Sequence, residues 1–470
     1  MVSFRLSDYI IVLIFFASVL LFGFYFGRQT KKDANDYLLS GRKVGLFLFI
    51  LTNVSTWYGG ILGIGEFTYR YGLMSWFTQG FPYYLFAFLF AIFFAKKIRT
   101  ASLFTIPDKL SQVYDNKVGL ASAVLVFILV SPAPYLLMTA NLLSLMFGTG
   151  IITSLIIGVL ISVLYLLNGG FRANIYADAI QFFVMFGGFI VVVIIAALSL
   201  GGFSFLQNNL PPNHLQLTGG ASPTYIIVWF LIALWTFADP GFHQRCYAAK
   251  DGSTAAKGII ISIFFFALFD FLTTTTGLYA RALLPNLKNP VLSFPLFAEK
   301  ILGPGIKGLF YAAMFATIMS TLNSFYFLSG TTIGKDFIFR LKKNGKEENL
   351  KFYTVIGLII SGIVSIILAF FIPSVIEIWY TIGSFCIPGI IFPIISAYYP
   401  KLKIKSSIIF FEIITSVFLS VTWFFVREAY FSGSYILSEI EPMLVGLAGA
   451  ILIHLWGVIF KKSSFSAVKV

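Results

Sequence analysis

Charge is what this chain has least of. Among its 470 residues only 11% are Asp, Glu, Lys or Arg, where a soluble globular domain carries roughly a quarter. So few charges cannot solvate the surface of a water-soluble body this size. With 58% hydrophobic residues and 55 Phe, a lipid bilayer must do part of the solvating. Cysteine is nearly absent too: Cys246 and Cys386 stand in no disulfide or metal-binding spacing. The three histidines, His214, His243 and His454, show no metal spacing either. No stretch reads as a soluble domain. The net charge of +14 is not a nucleic-acid signal, because the basic residues sit in short loops between apolar runs rather than on one polar face.

What is present is a series of long apolar runs. A membrane-spanning helix needs about 20 mostly apolar residues, and thirteen runs qualify. They cover residues 7–27, 44–69, 73–95, 118–147, 149–168, 174–200, 223–247, 257–284, 305–335, 353–372, 375–398, 406–427 and 437–460, and are numbered spans 0 to 12. The first has no small-residue cleavage pattern and is followed by Arg28 and Lys31. Signal peptides carry their positive charge before the apolar run, so span 0 is expected to be a retained helix with its N-terminus outside. Most of the 33 Lys and Arg, Arg245 included, then fall in loops on the cytoplasmic side, the usual bias of such loops. An odd number of spans puts the C-terminus in the cytoplasm. The expected fold is an all-α polytopic membrane protein forming a single domain over residues 1–470. It comprises an extra N-terminal helix (7–27), a first repeat (44–200), a second repeat (223–398) and two C-terminal helices (406–460). The 285–304 loop is expected to hold a short helix outside the membrane.

Two spans are interrupted. Span 1 contains Asn53-Val54-Ser55-Thr56-Trp57-Tyr58-Gly59-Gly60, and span 6 contains Trp235-Thr236-Phe237-Ala238-Asp239-Pro240-Gly241. Non-helical backbone at membrane depth survives only where protein or a watery cavity satisfies it. Interrupted segments at matching places in two halves are the best sequence pointer to a transporter binding site. These are the first spans of two five-helix halves, so spans 1–5 and 6–10 are expected to form an inverted repeat with discontinuous helices 1 and 6. Asp239-Pro240 also reads as an N-cap followed by a first helical residue, and capping and contact with a solute are both open to Asp239. Asp178, inside span 5, either pairs with Arg172 or a loop lysine or serves as a cation ligand or gate. Hydroxyl residues of span 8 (Thr317, Ser320, Thr321, Ser324) either bind neighbouring helices or offer oxygen ligands to a hard cation. Glu66, Asp270, Glu377 and Glu412, inside or near spans, have no sharper expectation than helix-end solvation or an internal hydrogen bond.

In order along the chain, four stretches resemble the sodium/solute symporter family. They are Asp36-Tyr37-Leu38-Leu39-Ser40-Gly41-Arg42; Gly169-Gly170 with Asp178, Gln181 and Gly187-Gly188; Gln244-Arg245-Cys246-Tyr247-Ala248-Ala249-Lys250; and Ala316 through Ser324, followed by Asp336. The resemblance implies a LeuT-like inverted repeat, solute uptake coupled to Na+, and a bacterial inner membrane. It implies a sodium site between spans 1 and 8, formed by the carbonyls of Leu51, Val54 and Thr317 and the hydroxyls of Ser320 and Thr321. It implies a second sodium or exit site at Asp178 and Ser324. The sequence departs from better-known branches: Asn53 stands where the proline-transporting branch has a carboxylate. Tyr58 stands where the sugar branch has a glutamine, and span 3 lacks the arginine of sialic-acid transporters. These departures argue against all three solutes.

The solute pocket is expected to draw on Asn53, Trp57, Tyr58, Trp76, Phe77, Trp235, Phe237 and Asp239. Aromatic faces with one carboxylate suit a cationic or zwitterionic amine. A neutral solute such as a nucleobase, sugar or polyol is the alternative, as is a sensor or channel on the same scaffold. No convergent catalytic or metal set suggests an enzyme, and nothing calls for an obligate protein partner. The expected partners are a small solute, sodium and the bilayer.

Overall fold

The computed structural model describes the chain apart from residues 1, 32, 343–348, 373–374, 431–436, 438–439 and 467–470. Helices dominate it. In chain order they include α1 (Leu6–Gly27), α2 (Ala34–Leu39), α3 (Leu46–Trp57) and α4 (Ile61–Tyr71). Next come α5 (Met74–Ala101, bent at Gly80), α6 (Ile106–Val113), α7 (Asn116–Leu129), α8 (Ala133–Phe147), α9 (Ile151–Val163) and α10 (Leu166–Leu200). The second half holds α11 (Pro223–Ile232), α12 (Trp235–Ala238), α13 (Pro240–Ala248), α14 (Gly252–Leu283), α15 (Ser293–Ile301) and α16 (Ile306–Thr331). It closes with α17 (Leu350–Phe371), α18 (Val375–Tyr398), α19 (Ser406–Tyr430) and α20 (Pro442–Ser466).

Among the described residues, ten helices are long and apolar enough to cross a membrane, and eleven if the bent pair α3–α4 counts as one span. The two expected spans that miss this test do so for different reasons. Span 4 shortens to α9, 13 residues, because the helix stops at Val163 and the chain turns into α10. Span 8 corresponds to α16, which is buried along nearly its whole length. A helix wrapped by protein rather than lipid can carry Thr, Ser and Asn, and its mean hydropathy falls accordingly. The start expected for span 12 at 437 moves to Pro442, and residues 438–439 lie outside the described ones. The helix expected in the 285–304 loop is α15.

Both expected breaks are present. α3 and α4 meet at 56° across Tyr58-Gly59-Gly60, where glycine is required: a Cβ on Gly59 would lie 2.3 Å from Thr321 Cβ, and one on Gly60 2.1 Å from the Trp379 ring. The second break separates α11, α12 and α13. At Asp239 the backbone is extended, Pro240 takes the first helical position, and Asp239 Oδ1 accepts the Phe242 N–H at 2.6 Å. Asp239 is therefore a working N-cap.

α10 and α16 form the centre of the bundle, with α1 packed along both. Small residues permit this closeness: a Cβ on Gly27 would meet Gly169 Cα at 2.9 Å. Within α10, Gly170 adopts φ +54, and its Cα faces the Tyr37 carbonyl of α2. The N-terminal end of α1 is tied to the start of α16, where buried Asp8 accepts the N–H groups of Gly305 (2.8 Å) and Gly308 (2.9 Å). A carboxylate there satisfies orphan donors and complements the helix dipole.

Candidate functional site

A polar knot lies where α3, α10, α13 and α16 converge. Its centre is an ion pair between Arg245 and Asp178, 3.4 Å apart, with side chains 2% and 0% exposed. The Arg245 guanidinium also donates to Thr52 Oγ1 at 2.9 Å, to Thr56 Oγ1 and to Ser324 Oγ at 3.2 Å. Asp178 in turn accepts from Thr52 and from Ser320 Oγ (2.7 Å). Asn174 Nδ2 donates to Ser324 Oγ at 2.7 Å. Two buried charges at membrane depth are tolerable because they pair with each other and hydroxyls surround the shared edge, although Arg245 Nε finds no acceptor.

This arrangement corrects two expectations. Arg245 is not a loop residue: α13 starts at the break and stays within the protein, so Arg245 points back into the bundle. Asp178 does not pair with Arg172, which binds Asp36 at 2.5 Å instead.

The five residues expected at the main sodium site, Leu51, Val54, Thr317, Ser320 and Thr321, are all buried on the facing seams of α3 and α16. Thr321 Oγ1 donates to the Thr56 carbonyl at 2.5 Å, and Thr56 Oγ1 lies 3.2 Å from Ser320 Oγ. The Leu51 carbonyl accepts the Ser55 hydroxyl at 2.8 Å, and the Thr317 hydroxyl turns back to Ala313. The donor set is all oxygen and carries no formal charge of its own, while Asp178 adjoins it through Ser320. A hard, singly charged cation fits such a set.

Above this seam a cavity occupies the space between the two breaks. Of the residues expected at the solute, Asn53, Trp57, Tyr58, Trp235 and Asp239 line it. Trp57 meets Tyr83 and Phe242 edge-on at 5.3 and 5.1 Å. Asp239 faces the cavity with both oxygens engaged, Oδ2 accepting Trp235 Nε1 at 2.9 Å. Three expected residues are not in the lining. Phe237 packs among Phe86, Phe90 and Phe94, because residues two apart on a helix face different ways and Trp235 takes the cavity side. Phe77 stacks on Phe81, and Trp76 donates to Tyr84 at 3.2 Å. From the same stretch of α5, Gln79 and Tyr83 reach the cavity instead.

Other lining residues escaped the sequence reading: Tyr135 of α8, Asp270 of α14, and Trp379 of α18. Asp270 carried a signal, being an ionisable residue inside an apolar run. Trp379 and Tyr135 carried none, since aromatic residues are common in such helices.

The ends of α3 and α13 are joined at one face of the molecule. The Val44 N–H donates to the Ala248 carbonyl at 3.1 Å and the Lys250 N–H to the Val44 carbonyl at 2.9 Å, a short parallel bridge. Arg42 and Arg99 reinforce it by donating to the carbonyls of Tyr247 (3.3 Å) and Ala249 (2.5 Å).

The chain is similar to known proteins over most of its length. The chain is 29% identical over 376 residues to a sodium/pantothenate symporter of Escherichia coli, covering 76% of this chain and 77% of that one. It is 26% identical over 359 residues to the osmoregulated proline transporter OpuE of Bacillus subtilis, covering 71% and 72%. Among solved structures, a substrate-bound, outward-open Na+-coupled sialic acid symporter superposes with a TM-score of 0.80 at 19% identity, over 97% and 98% of the two chains. A nucleobase-cation-symport-1 family transporter superposes at 0.59 and 12% identity, over 91% and 95%. These two share the fold. The relatives are transporters, not enzymes, and the coupling ion is sodium. The family model of the sodium:solute symporters matches residues 37–401, and the chain, a multi-pass membrane protein, belongs to that family.

Proposed function

We propose that this symporter carries a small cationic or zwitterionic amine, held in the aromatic cavity between the two broken helices, together with sodium held between α3 and α16. The observation that carries the reading is the position of the cavity directly above the Ser320–Thr321 seam, so that one cation can order both the break in α3 and the solute that leans on it. The sodium ligands in this reading are the carbonyls of Leu51, Val54 and Thr317 and the hydroxyls of Ser320 and Thr321. Asn53, Trp57, Tyr58, Trp235 and Asp239 contact the solute, and Trp76, Phe77 and Phe237 support them from behind.

The transport cycle is alternating access within an inverted repeat of spans 1–5 and 6–10. Thirteen helices cross a bacterial inner membrane, α9 and α16 among them, with the N-terminus outside and the C-terminus in the cytoplasm. The joined ends of α3 and α13 then form the cytoplasmic gate. Sodium and solute enter from the opposite side. For the inward-open state to form, Arg245 must release Thr52 and Thr56, and Asp178 and Ser324 then stand on the sodium exit path.

Thermal stabilisation of the purified protein tests this, because a ligand that binds only the folded form raises its stability by mass action. An amine that stabilises in sodium chloride but not in potassium or choline chloride is the expected result. Equal stabilisation in potassium sinks the coupling assignment. Ser320→Ala and Thr321→Ala are each expected to raise the sodium concentration needed for half-maximal stabilisation by about tenfold, the loss of one charge-assisted bond. An unchanged sodium requirement in both variants removes the site from the α3–α16 seam.

A further inference from the structure

Two carboxylates face the cavity, Asp239 and Asp270, and their surroundings differ. Asp239 already has a donor on each of its oxygens. One oxygen caps α13 through Phe242 N–H, and the other accepts Trp235 Nε1. Asp270 lies in the middle of α14, 8% exposed. Its Oδ2 accepts the Tyr84 hydroxyl, which is held in turn by Trp76 Nε1 at 3.2 Å. Among the described residues no basic side chain pairs with it, and the Tyr58 hydroxyl, which donates to the Phe266 carbonyl at 2.6 Å, lies against the same carboxylate. The group is also closely fitted, since a Cβ on Gly80 would stand 2.8 Å from Asp270 Oδ2. One oxygen is thus fixed by a relay from α5, and among the described residues no cation answers the carboxylate's charge.

A buried carboxylate without a cationic partner is costly in a membrane protein. The same cavity holds the opposite deficit. Asn53 and Gln79 line the cavity, and their amide nitrogens Nδ2 and Nε2 are buried and find no acceptor. Such unpaired groups are expensive and uncommon in native interiors. A single solute with a positive end and an acceptor end would satisfy both deficits.

We infer that Asp270, not Asp239, is the counter-ion for the solute's ammonium group, and that Asn53 and Gln79 receive its acceptor group, so that the transported class is zwitterionic amino compounds rather than simple cations or anions. The inference rests on the amine reading above and narrows it. It also gives Trp76 a role away from the lining: through Tyr84 it fixes the carboxylate that the solute meets.

The test uses the full-length protein in sodium chloride. Thermal shift is measured with a panel of zwitterionic amino acids and betaines. Each amino acid is paired with its N-acetyl derivative, which lacks the cation, and with its decarboxylated amine, which lacks the acceptor. One or more zwitterions should stabilise the wild type and both counterparts should bind at least about tenfold more weakly, as expected for losing a charged hydrogen bond. Asp270→Asn should lower affinity for the zwitterion by a similar factor while stabilisation by sodium alone persists, which shows that the variant is folded. Tyr84→Phe, milder, should weaken the same ligand by less. An N-acetyl derivative that binds the wild type as well as its parent overturns the inference, whether or not any variant folds. A zwitterion that binds Asp270→Asn undiminished overturns it too, and leaves the amine reading standing. Failure of every amino compound to stabilise the wild type in sodium removes both.

Discussion

A carboxylate at membrane depth needs a partner, and Asp178 has Arg245. The pair is fully desolvated, so removing one member strands the other. Arg245→Ala is expected to cost about 3–5 kcal/mol, the range for an orphaned buried charge, and to lower the unfolding temperature visibly. Combining it with Asp178→Ala should restore part of that loss, because no unpaired charge remains. Thermal unfolding of the two single variants and the double variant checks this. A double variant less stable than both singles would mean that the hydroxyls around the pair, rather than the charges, hold the knot together. Sequence reading found Asp178 and its neighbours Ser320 and Ser324. It missed the partner because Arg245 sits in a motif that resembles a loop, and only the direction of α13 turns it inward.

At the scale of the element, the two broken helices decide the chemistry. The break in α3 rests on adjacent glycines that meet different neighbours: Gly59 abuts Thr321, and Gly60 abuts the Trp379 ring. Gly59→Ala is expected to push α3 from α16 and raise the sodium requirement several-fold with less effect on solute. Gly60→Ala should disturb the cavity wall and weaken solute more than sodium. Separate sodium and solute titrations by thermal shift distinguish them. Identical effects of the two substitutions would show that the break moves as one piece. The break in span 6 is of another kind, set by an Asp-Pro cap rather than by glycine. Both were legible in the sequence as interruptions in apolar runs. The facing of the side chains beyond them was not, which is why Phe237 was expected in the cavity and is instead packed against α5.

At the scale of the whole molecule, the joined ends of α3 and α13 are the gate of the proposed cycle, and a native reporter lies beside them. Cys246 follows Arg245 and is fully buried. In a Cys386→Ser background, a water-soluble maleimide is expected to label Cys246 slowly in sodium and faster when choline replaces sodium, because opening the gate exposes α13. Equal rates in both salts would mean that sodium does not bias the gate. The positive-inside bias behind the proposed orientation loses Arg245 from its count, without changing sign.

The sequence by itself determined that the chain lives in a membrane, because 11% charge cannot clothe a soluble body. It also determined which helices break, because Gly-Gly and Asp-Pro act locally, and it determined the family, because the family's motifs occur in order. Tertiary structure alone decided the pairings. Arg245 meets Asp178 across 67 residues and Thr56 meets Ser320 across 264. Tyr84 meets Asp270 across 186. No local rule relates such positions: they become neighbours only when the helices pack. The rotation of each helix about its own axis, set by the close approach of Gly27 to Gly169 and Gly59 to Thr321, then selects which side chains face the cavity.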